Sequence, residues 1–458
     1  MNNTPKMQIP GPRGDLLLGS IPDIRRDRVQ FLLDLRRDYG DVVKIRLGPA
    51  SGIAIFHPDD LKRIMQDNQS NYSKETHTLN LLKPLVGNGL IRSDGELWLR
   101  QRRMMQPAFH RDTINRLSEM IVRQTQAMLD PLEAAAHSGQ TVNMGHEMMK
   151  LTLGVATLAF FGIQVNDLDG DLAEEINVIM RDTVYRFEHP FYPPLWFPAG
   201  RNLKLKKAVR RIDDIIYGLI NARRAQPSGR QDALDILMAA TLDDNEALGD
   251  GSRGMSIQQL RDEMVTLFLA GHETTAANLC WTLYLLTIHP EIETRLRREL
   301  DEVLGGRVPT LQDLPRLEYT RMVRDESLRL YPPVWLTERL VLRDDVLGGY
   351  HIPAGTTLAI TQYVTHRHPA FWDNPEVFDP ERFSPERMRD RHEYAYIPFS
   401  GGKRQCLGRS MALLESHLAL PMLLQRYRFE LEPGWQVLKE PELSLRLKGG
   451  LPMRLKPA

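Results

Sequence analysis

Cysteine is nearly absent from this chain: Cys280 and Cys406 are the two in 458 residues. Two thiols cannot build a disulfide framework or a paired-cysteine zinc site, which points to a reducing cytoplasm. A charge surplus is missing too. Lys plus Arg and Asp plus Glu each number 59, so no bulk field selects nucleic acid or a membrane surface, and any charged docking face must be local. The start, "MNNTPKMQIPGPRGDLLLGS", carries neither the apolar core of a signal peptide nor the ~20 apolar residues of a membrane span. No Gly-x-Gly-x-x-Gly occurs, because "GNGLIR" puts Arg92 at the third glycine position, so no dinucleotide or flavin site is signalled. Repeats and low-complexity linkers are also lacking, and residues 1–458 read as one large unit with a proline-rich lead over 1–25 and no reductase domain.

What is present has the texture of a soluble, mainly α protein with a smaller β portion, an α+β arrangement. "RVQFLLDLRRDYG" has helical spacing and stops at Gly40, and "DVVKIRLGPASGIAIFHP" alternates around a Gly-Pro turn as a hairpin. From about Gly95 to Ile288 the segments read as amphipathic helices, broken by loops at Pro190–Gly200 and Asp243–Gly254. After Arg329 short strand-like runs and prolines lead to a glycine-rich loop around Cys406, then a helix from about Leu407 to Gln425. The strongest helix signal begins at Ser256, whose spacing to Gln259 makes a capping box, and ends before Pro290. About 33 helical residues would span about 50 Å, enough to cross a large domain. Its apolar circumference predicts burial. A membrane span is the rival, opposed by His272, Glu273, Thr274, Thr275 and Asn278 in mid-run.

That polar island, "AGHETT", holds Gly271, which costs about 1 kcal/mol in mid-helix and lets a flat partner approach the backbone. Glu273 and Thr274 set an acid beside an alcohol. A zinc-protease reading of "HETTA" fails, since Ala276 stands where the second histidine belongs. In "ESLR", Glu326 and Arg329 share a helix face and can pair, and Arg382 of "DPERF" could join them. Such pairs are commonly solvated decoration. In "WLRQRR", Trp98 and Arg102 aim an indole N–H and a guanidinium the same way, which suits a carboxylate held against an apolar surface, or plain basic-face helix. Cys406, in "FSGGKRQCLG", stands just before a helix start, where unpaired N–H groups and the dipole lower a thiol's pKa. A thiolate there could be a nucleophile, a zinc or cluster ligand, or an axial haem ligand. The first lacks a histidine signature and the second lacks companion cysteines.

As a set, these pieces resemble the cytochromes P-450, the haem-thiolate monooxygenases. The cysteine loop Phe-x-x-Gly-x-Arg-x-Cys-x-Gly is matched by Phe399, Gly402, Arg404, Cys406 and Gly408. Ala-Gly-x-(Asp/Glu)-Thr is matched by Ala270, Gly271, Glu273 and Thr274, Glu-x-x-Arg by Glu326 and Arg329, and Pro-Glu-Arg-Phe by Pro380 to Phe383. The resemblance spans about residue 10 to the end and implies the family's single fold, with a long central helix over haem b. It implies Cys406 as axial thiolate, Trp98, Arg102, Arg339 and Arg404 at the haem propionates, and Glu326, Arg329 and Arg382 as a buried structural network. Thr274 and Glu273 would supply the protons consumed when O2 is cleaved and one oxygen atom enters a substrate C–H bond. Electrons from NAD(P)H would arrive through a separate ferredoxin or flavodoxin and its reductase, docking on Arg100, Arg103, Lys403 and Arg409.

Substrate contacts would fall in about Glu75–Leu90, Tyr185–Gly200, Ala270–Thr274, Pro333–Leu336 and Gly449–Pro452. The aromatic run "YRFEHPFYPPLWFPAG" either lines an entrance or is loop packing. Similarity to bacterial fatty-acid and terpenoid or carotenoid hydroxylases implies a hydrophobic small molecule, steroid-like ones included. The alternatives are a peroxide-driven peroxygenase, whose relatives lack the acid-alcohol pair, and a non-enzymatic haem-thiolate sensor or carrier.

Overall fold

The structure is a computed structural model and describes residues 8–164, 172–189, 191–227, 229, 232–240 and 255–458. The expected loop at Asp243–Gly254 therefore lies outside the described residues, as do Pro190 of the other loop and residues 1–7 of the lead. Helix accounts for 58% and strand for 12%, so helices set the architecture and the sheets trim it.

Seven helices carry the argument: α1 (Gly95–Met105), α2 (Met144–Phe161), α3 (Leu172–Glu188), α4 (Gly200–Ala225), α5 (Ile257–Ile288), α6 (Glu318–Leu330) and α7 (Arg409–Arg426). The boundaries of α5 follow from its ends. Ser256 accepts from the backbone N–H of Gln259, the Gln259 side chain returns the bond, and Pro290 opens the next helix. Between those ends most α5 side chains are buried, among them Met264, Phe268, Leu279 and Trp281. Such a helix is hydrophobic all round because protein surrounds it. Among the described residues no helix is long and apolar enough to cross a membrane.

Gly271 shows how closely α5 meets α2. A Cβ there would lie 2.8 Å from the Phe160 ring and 3.3 Å from Ala156. The glycine thus makes room for a neighbouring helix.

The main sheet has five strands: β1 (Val42–Leu47), β2 (Ala50–Ile55), β3 (Tyr72–Ser73), β4 (Thr337–Val341) and β5 (Thr357–Ile360), in the order β1-β2-β5-β4-β3. β1 and β2 form the expected hairpin, with Leu47 opposite Ala50 and Gly48 at φ +62° in the turn. β2 and β5 are parallel, and the remaining pairs are antiparallel. In the register of β3 with β4, Tyr72 faces Val341 and Ser73 faces Leu340. One residue beyond β3, Lys74 lies near enough to Arg339, in the middle of β4, for the two cations to repel each other. Near the C-terminus a small hairpin pairs Lys439–Pro441 with Leu445–Leu447. Two indole N–H groups pin it: Trp281 of α5 donates to the Leu445 carbonyl at 2.9 Å and Trp335 to the Glu442 carbonyl at 2.9 Å. The proline-rich lead is not wholly irregular, because Ile21–Arg26 form a short helix with Pro22 in its first turn.

Candidate active site

A cavity of about 530 Å³ lies between α5, the Cys406 loop, α1 and the β4 end of the sheet. Cys406, Thr274, Glu273, Ala270 and Gly271 line it, as do Trp98, Arg102, Arg339, Arg404, Phe399 and Gly408. Residues separated by more than 300 positions are thereby brought to one space. The Cys406 side chain is solvent-accessible, and its surface opens into this cavity.

The loop is held tightly on its outer side. Cys406 N–H donates to the Phe399 carbonyl at 2.9 Å. Gly402 adopts φ +61°, and a Cβ there would sit 1.8 Å from the Met65 carbonyl oxygen. Its glycine is required by backbone from a distant segment. Gly408 differs: nothing lies within 3.9 Å of the place a Cβ would take, so this side stays open to the cavity.

Burial pushes the Cys406 thiol up, while the N–H groups of Gly408 and Arg409 and the charges of Arg102 and Lys74 pull it down. The net direction is upward. The helix-start N–H groups do pull the thiol down, as the sequence expectation has it, but burial outweighs them; a bound metal cation would add to their pull, since coordination favours the thiolate. Cys280, fully buried in α5, is raised to about 12 by desolvation and is an inert core thiol.

On the α1 side, the Arg404 guanidinium lies 4.0 Å from the Trp98 ring centroid, over its face, and donates to the Ser93 carbonyl at 2.7 Å and to Asp94. Arg102 donates to the Gln405 carbonyl at 3.0 Å. Lys74, which the motifs do not mark, donates its ammonium to the Ile91 carbonyl at 3.1 Å. Burial lowers Arg404 and Arg339 to about 10 each and carries Lys74 well down, Arg339 and Arg404 adding repulsion. Asp94 is the carboxylate acting on Lys74, Arg339 and Arg404, and their surplus positive charge calls for an anion. This donor set fits a haem, whose two propionates carry two negative charges and whose iron takes a thiolate.

Across the cavity, the Thr274 hydroxyl donates to the Ala270 carbonyl one turn back at 3.0 Å. Glu273 is nearly buried; its carboxylate accepts from the Ser444 hydroxyl and lies 3.6 Å from the Arg446 guanidinium. Arg446 also pairs with Glu440 at 2.8 Å and Glu442 at 2.6 Å. The motif gives the acid and the alcohol, but the residues that hold the acid come from the C-terminal hairpin, and only its indole pins could have hinted at them. His272 is buried with Nδ1 2.8 Å from the Phe268 carbonyl, and no metal-binding cluster occurs among the described residues.

Glu326 and Arg329 of α6 are wholly buried and form a bidentate pair at 2.6 and 2.7 Å. Arg382 approaches the same carboxylate at 3.3 Å. The solvated-decoration reading is thus excluded for these three. Substrate-contact expectations divide. Leu79, Leu82 and Leu90 line the cavity, as do Pro333 through Leu336. Among the described residues of Tyr185–Gly200, Phe187 alone does so; Phe191 and Trp196 are 78% and 77% exposed and stand outside the lining, while Tyr185 stacks on His189 and meets the Tyr192 ring edge-on. Gly449–Pro452 do not line it, their place being taken by Glu442, Leu443 and Ser444.

The cytochrome P450 family model matches residues 9–456, and the chain belongs to that family of haem-dependent monooxygenases. Among its relatives, cyclooctatin synthase of Streptomyces melanosporofaciens is 36% identical over 440 residues, covering 95% of this chain and 92% of that protein. Cyclooctat-9-en-7-ol 5-monooxygenase of the same organism is 34% identical over 442 residues, covering 96% and 93%. The crystal structure of the cytochrome P450DA haem domain superposes with a TM-score of 0.87 at 25% identity, covering 99% of this chain and 98% of that one.

Proposed function

We propose that this chain inserts one oxygen atom from O2 into a C–H bond of an apolar, ring-containing molecule of terpenoid type, with haem b in the cavity described. One observation carries the reading. Cys406 and Thr274 open into the same largely apolar space, with an unbalanced set of buried cations beside it. The cyclooctat-9-en-7-ol named for one relative supports a cyclic substrate over a linear fatty acid. When bound, haem supplies the redox chemistry that activates dioxygen.

The chain's own residues do the rest. Cys406 would hold the iron, and Arg102, Arg339, Arg404 and Lys74 would hold the propionates with Trp98. Thr274 stands on the cavity wall with a hydroxyl that can pass a proton inward once it leaves the Ala270 carbonyl. Glu273 is its proton source, held at the wall by Ser444 and Arg446. Arg446 carries two further carboxylates, Glu440 and Glu442, so a proton entering at the hairpin has acceptors along the way. Leu79, Leu82, Leu267 and Val334 exclude water and orient an apolar substrate.

Electrons come from a cytoplasmic ferredoxin or flavodoxin with its NAD(P)H reductase. Its docking face is Arg100, Arg103, Lys403 and Arg409, none of which has an ion-pair partner within 4.0 Å among the described residues. The reduced, CO-treated protein should show the long-wavelength band of a thiolate-ligated haem, and Cys406→Ser should abolish it. Retention of the band would move the ligand elsewhere. A spin-state titration with cyclic terpenes, steroids and fatty acids, followed by turnover with surrogate redox partners, tests the substrate. NAD(P)H-dependent product would reject the sensor or carrier reading, and turnover driven only by peroxide would favour the peroxygenase.

A further inference from the structure

Asp94 is the N-cap of α1, and a cap needs one side-chain oxygen. Here both oxygens are engaged, on three separate segments. Oδ1 accepts from the Gly95 N–H at 2.9 Å and takes the Arg404 guanidinium of the Cys406 loop. Oδ2 accepts at 2.9 Å from the N–H of Lys74, one residue past β3. Burial pushes the Asp94 carboxyl up, but the Ser73 hydroxyl, the Lys74 N–H, Arg404 and the Gly95 N–H together hold it below its ordinary value, so it is ionised at neutral pH. One carboxylate thus fixes the start of the helix that carries Trp98 and Arg102, the strand end that carries Lys74, and the loop that carries Arg404 and Cys406.

The charge Asp94 brings is as specific as its place. Lys74, Arg102, Arg339 and Arg404 all line the cavity, and Asp94 favours the charged forms of Lys74, Arg339 and Arg404. An anion entering the cavity favours the Lys74 ammonium further. With haem in place, these four cations face three carboxylates, Asp94 and the two propionates. Ferric iron, the porphyrin dianion and a thiolate are together neutral, so the site keeps one positive charge. The single electron that makes the iron ferrous cancels it. An anion fixed among those cations weakens their pull on that electron, by an energy that falls with distance and with the effective dielectric.

We propose, resting on the haem reading above, that Asp94 is a positioning residue that sets the reduction potential of the haem iron through Arg404 and Lys74. By neutralising one of the cavity cations it holds the ferric form against reduction, and it leaves the haem less tightly bound than the cations alone would bind it. A residue that only capped α1 would affect neither quantity in this direction. Losing a plain cap loosens the wall that carries Trp98 and Arg102, so haem would leave faster. Losing a charge-balancing carboxylate does the reverse, because the dianion then meets more uncompensated positive charge.

Spectroelectrochemical titration of the haem-loaded full chain tests this, with haem transfer to an acceptor apoprotein as the second readout. Asp94→Asn and Asp94→Ser both keep a good N-cap residue and remove the charge. In each the equilibrium constant for one-electron reduction should rise several-fold, up to ~10-fold, the latter being ~59 mV for one electron, and haem transfer should slow. Adding Lys74→Met to Asp94→Asn restores the charge balance and should return both readouts toward those of the unaltered chain. Glu302→Gln, at an exposed acid of the helix that follows α5, should move neither. A potential that stays or falls in both Asp94 variants, or haem lost faster from both, would overturn the proposal and leave Asp94 a structural cap. The reduced-CO band of the unaltered chain separates the two readings: its absence would overturn the haem-thiolate site and this role together, whereas the other outcomes, with the band present, overturn this role alone.

Discussion

Around Glu326, buried guanidinium groups meet nearly every acceptor they need; around Asp94, buried cations meet too few. All five N–H groups of Arg329 have partners: both Glu326 oxygens and the carbonyls of His366, Pro375 and Val377. Arg382 adds an ion pair and donates to the Asn374 carbonyl at 3.0 Å. Arg339 is as deeply buried, yet among the described residues its guanidinium has one hydrogen bond, to the Glu338 carbonyl at 2.7 Å. The first region is complete without a ligand and serves folding. The second is left with excess charge that a dianion would complete, which sets the frame apart from the proposed site.

The largest effect should come from breaking the complete region. Glu326→Ala leaves two guanidinium groups facing no carboxylate inside the core and should destabilise the haem-free chain by about 3–5 kcal/mol, read by urea unfolding. A loss within ~0.5 kcal/mol would show that the backbone carbonyls alone satisfy Arg329, and the contrast between the regions would fail.

The opposite sign is expected beside Asp94. Lys74→Met removes a desolvated charge that Arg339 and Arg404 repel, and should stabilise the haem-free chain by about 1–2 kcal/mol while speeding haem transfer to an acceptor apoprotein. If haem-free stability falls instead, Lys74 is better satisfied than its surroundings indicate.

His366 offers a finer test of the complete region. Its Nε2 accepts from the Ile397 N–H at 2.9 Å and its Nδ1 lies 3.2 Å from the Arg329 carbonyl, so the ring is neutral with its proton on Nδ1. Burial, with Arg329 and Arg367 close by, lowers its pKa to about 3. The unfolded chain takes up this proton near pH 6.5 and the folded chain does not. The stability His366 contributes is therefore whole above pH 6.5 and is lost as pH falls toward about 3, by up to about 1.4 kcal/mol per pH unit. In His366→Gln the stability gap to the unaltered chain should narrow across that window; parallel curves would contradict the assignment.

The two regions also differ in how far they could be read in advance. Glu326 and Arg329 are three residues apart, and the capping box and Pro290 stop of α5 are equally local, so spacing alone exposes them. Cys406, Thr274, Trp98 and Arg404 are legible because each sits in a short motif. Lys74 reaches Arg339 only through a strand register spanning more than 260 positions, and Gly402 answers to Met65 across a similar gap. Ser444 and Arg446 meet Glu273 through a hairpin that two tryptophans fix. Cys406 shows the same division: the helix start that pulls its thiol pKa down is visible in sequence, and the burial that outweighs it is not.

Thr274→Ala should change stability least and chemistry most, which separates the frame from the site at a single atom. The hydroxyl's one hydrogen bond goes back to the Ala270 carbonyl, a contact that contributes little to a helix, so unfolding should shift by no more than ~0.5 kcal/mol. Haem and substrate binding should persist, since Cys406 and the cation cluster are untouched. Product formed per NAD(P)H consumed should fall and hydrogen peroxide rise, because the cavity wall then lacks the group that hands on a proton from Glu273. Glu273→Gln should fall in the same direction, and Arg446→Leu should do so with a shifted pH profile, as a positioning residue would. Unchanged coupling in Thr274→Ala would remove the hydroxyl from proton delivery and leave it a lining residue like Ala270.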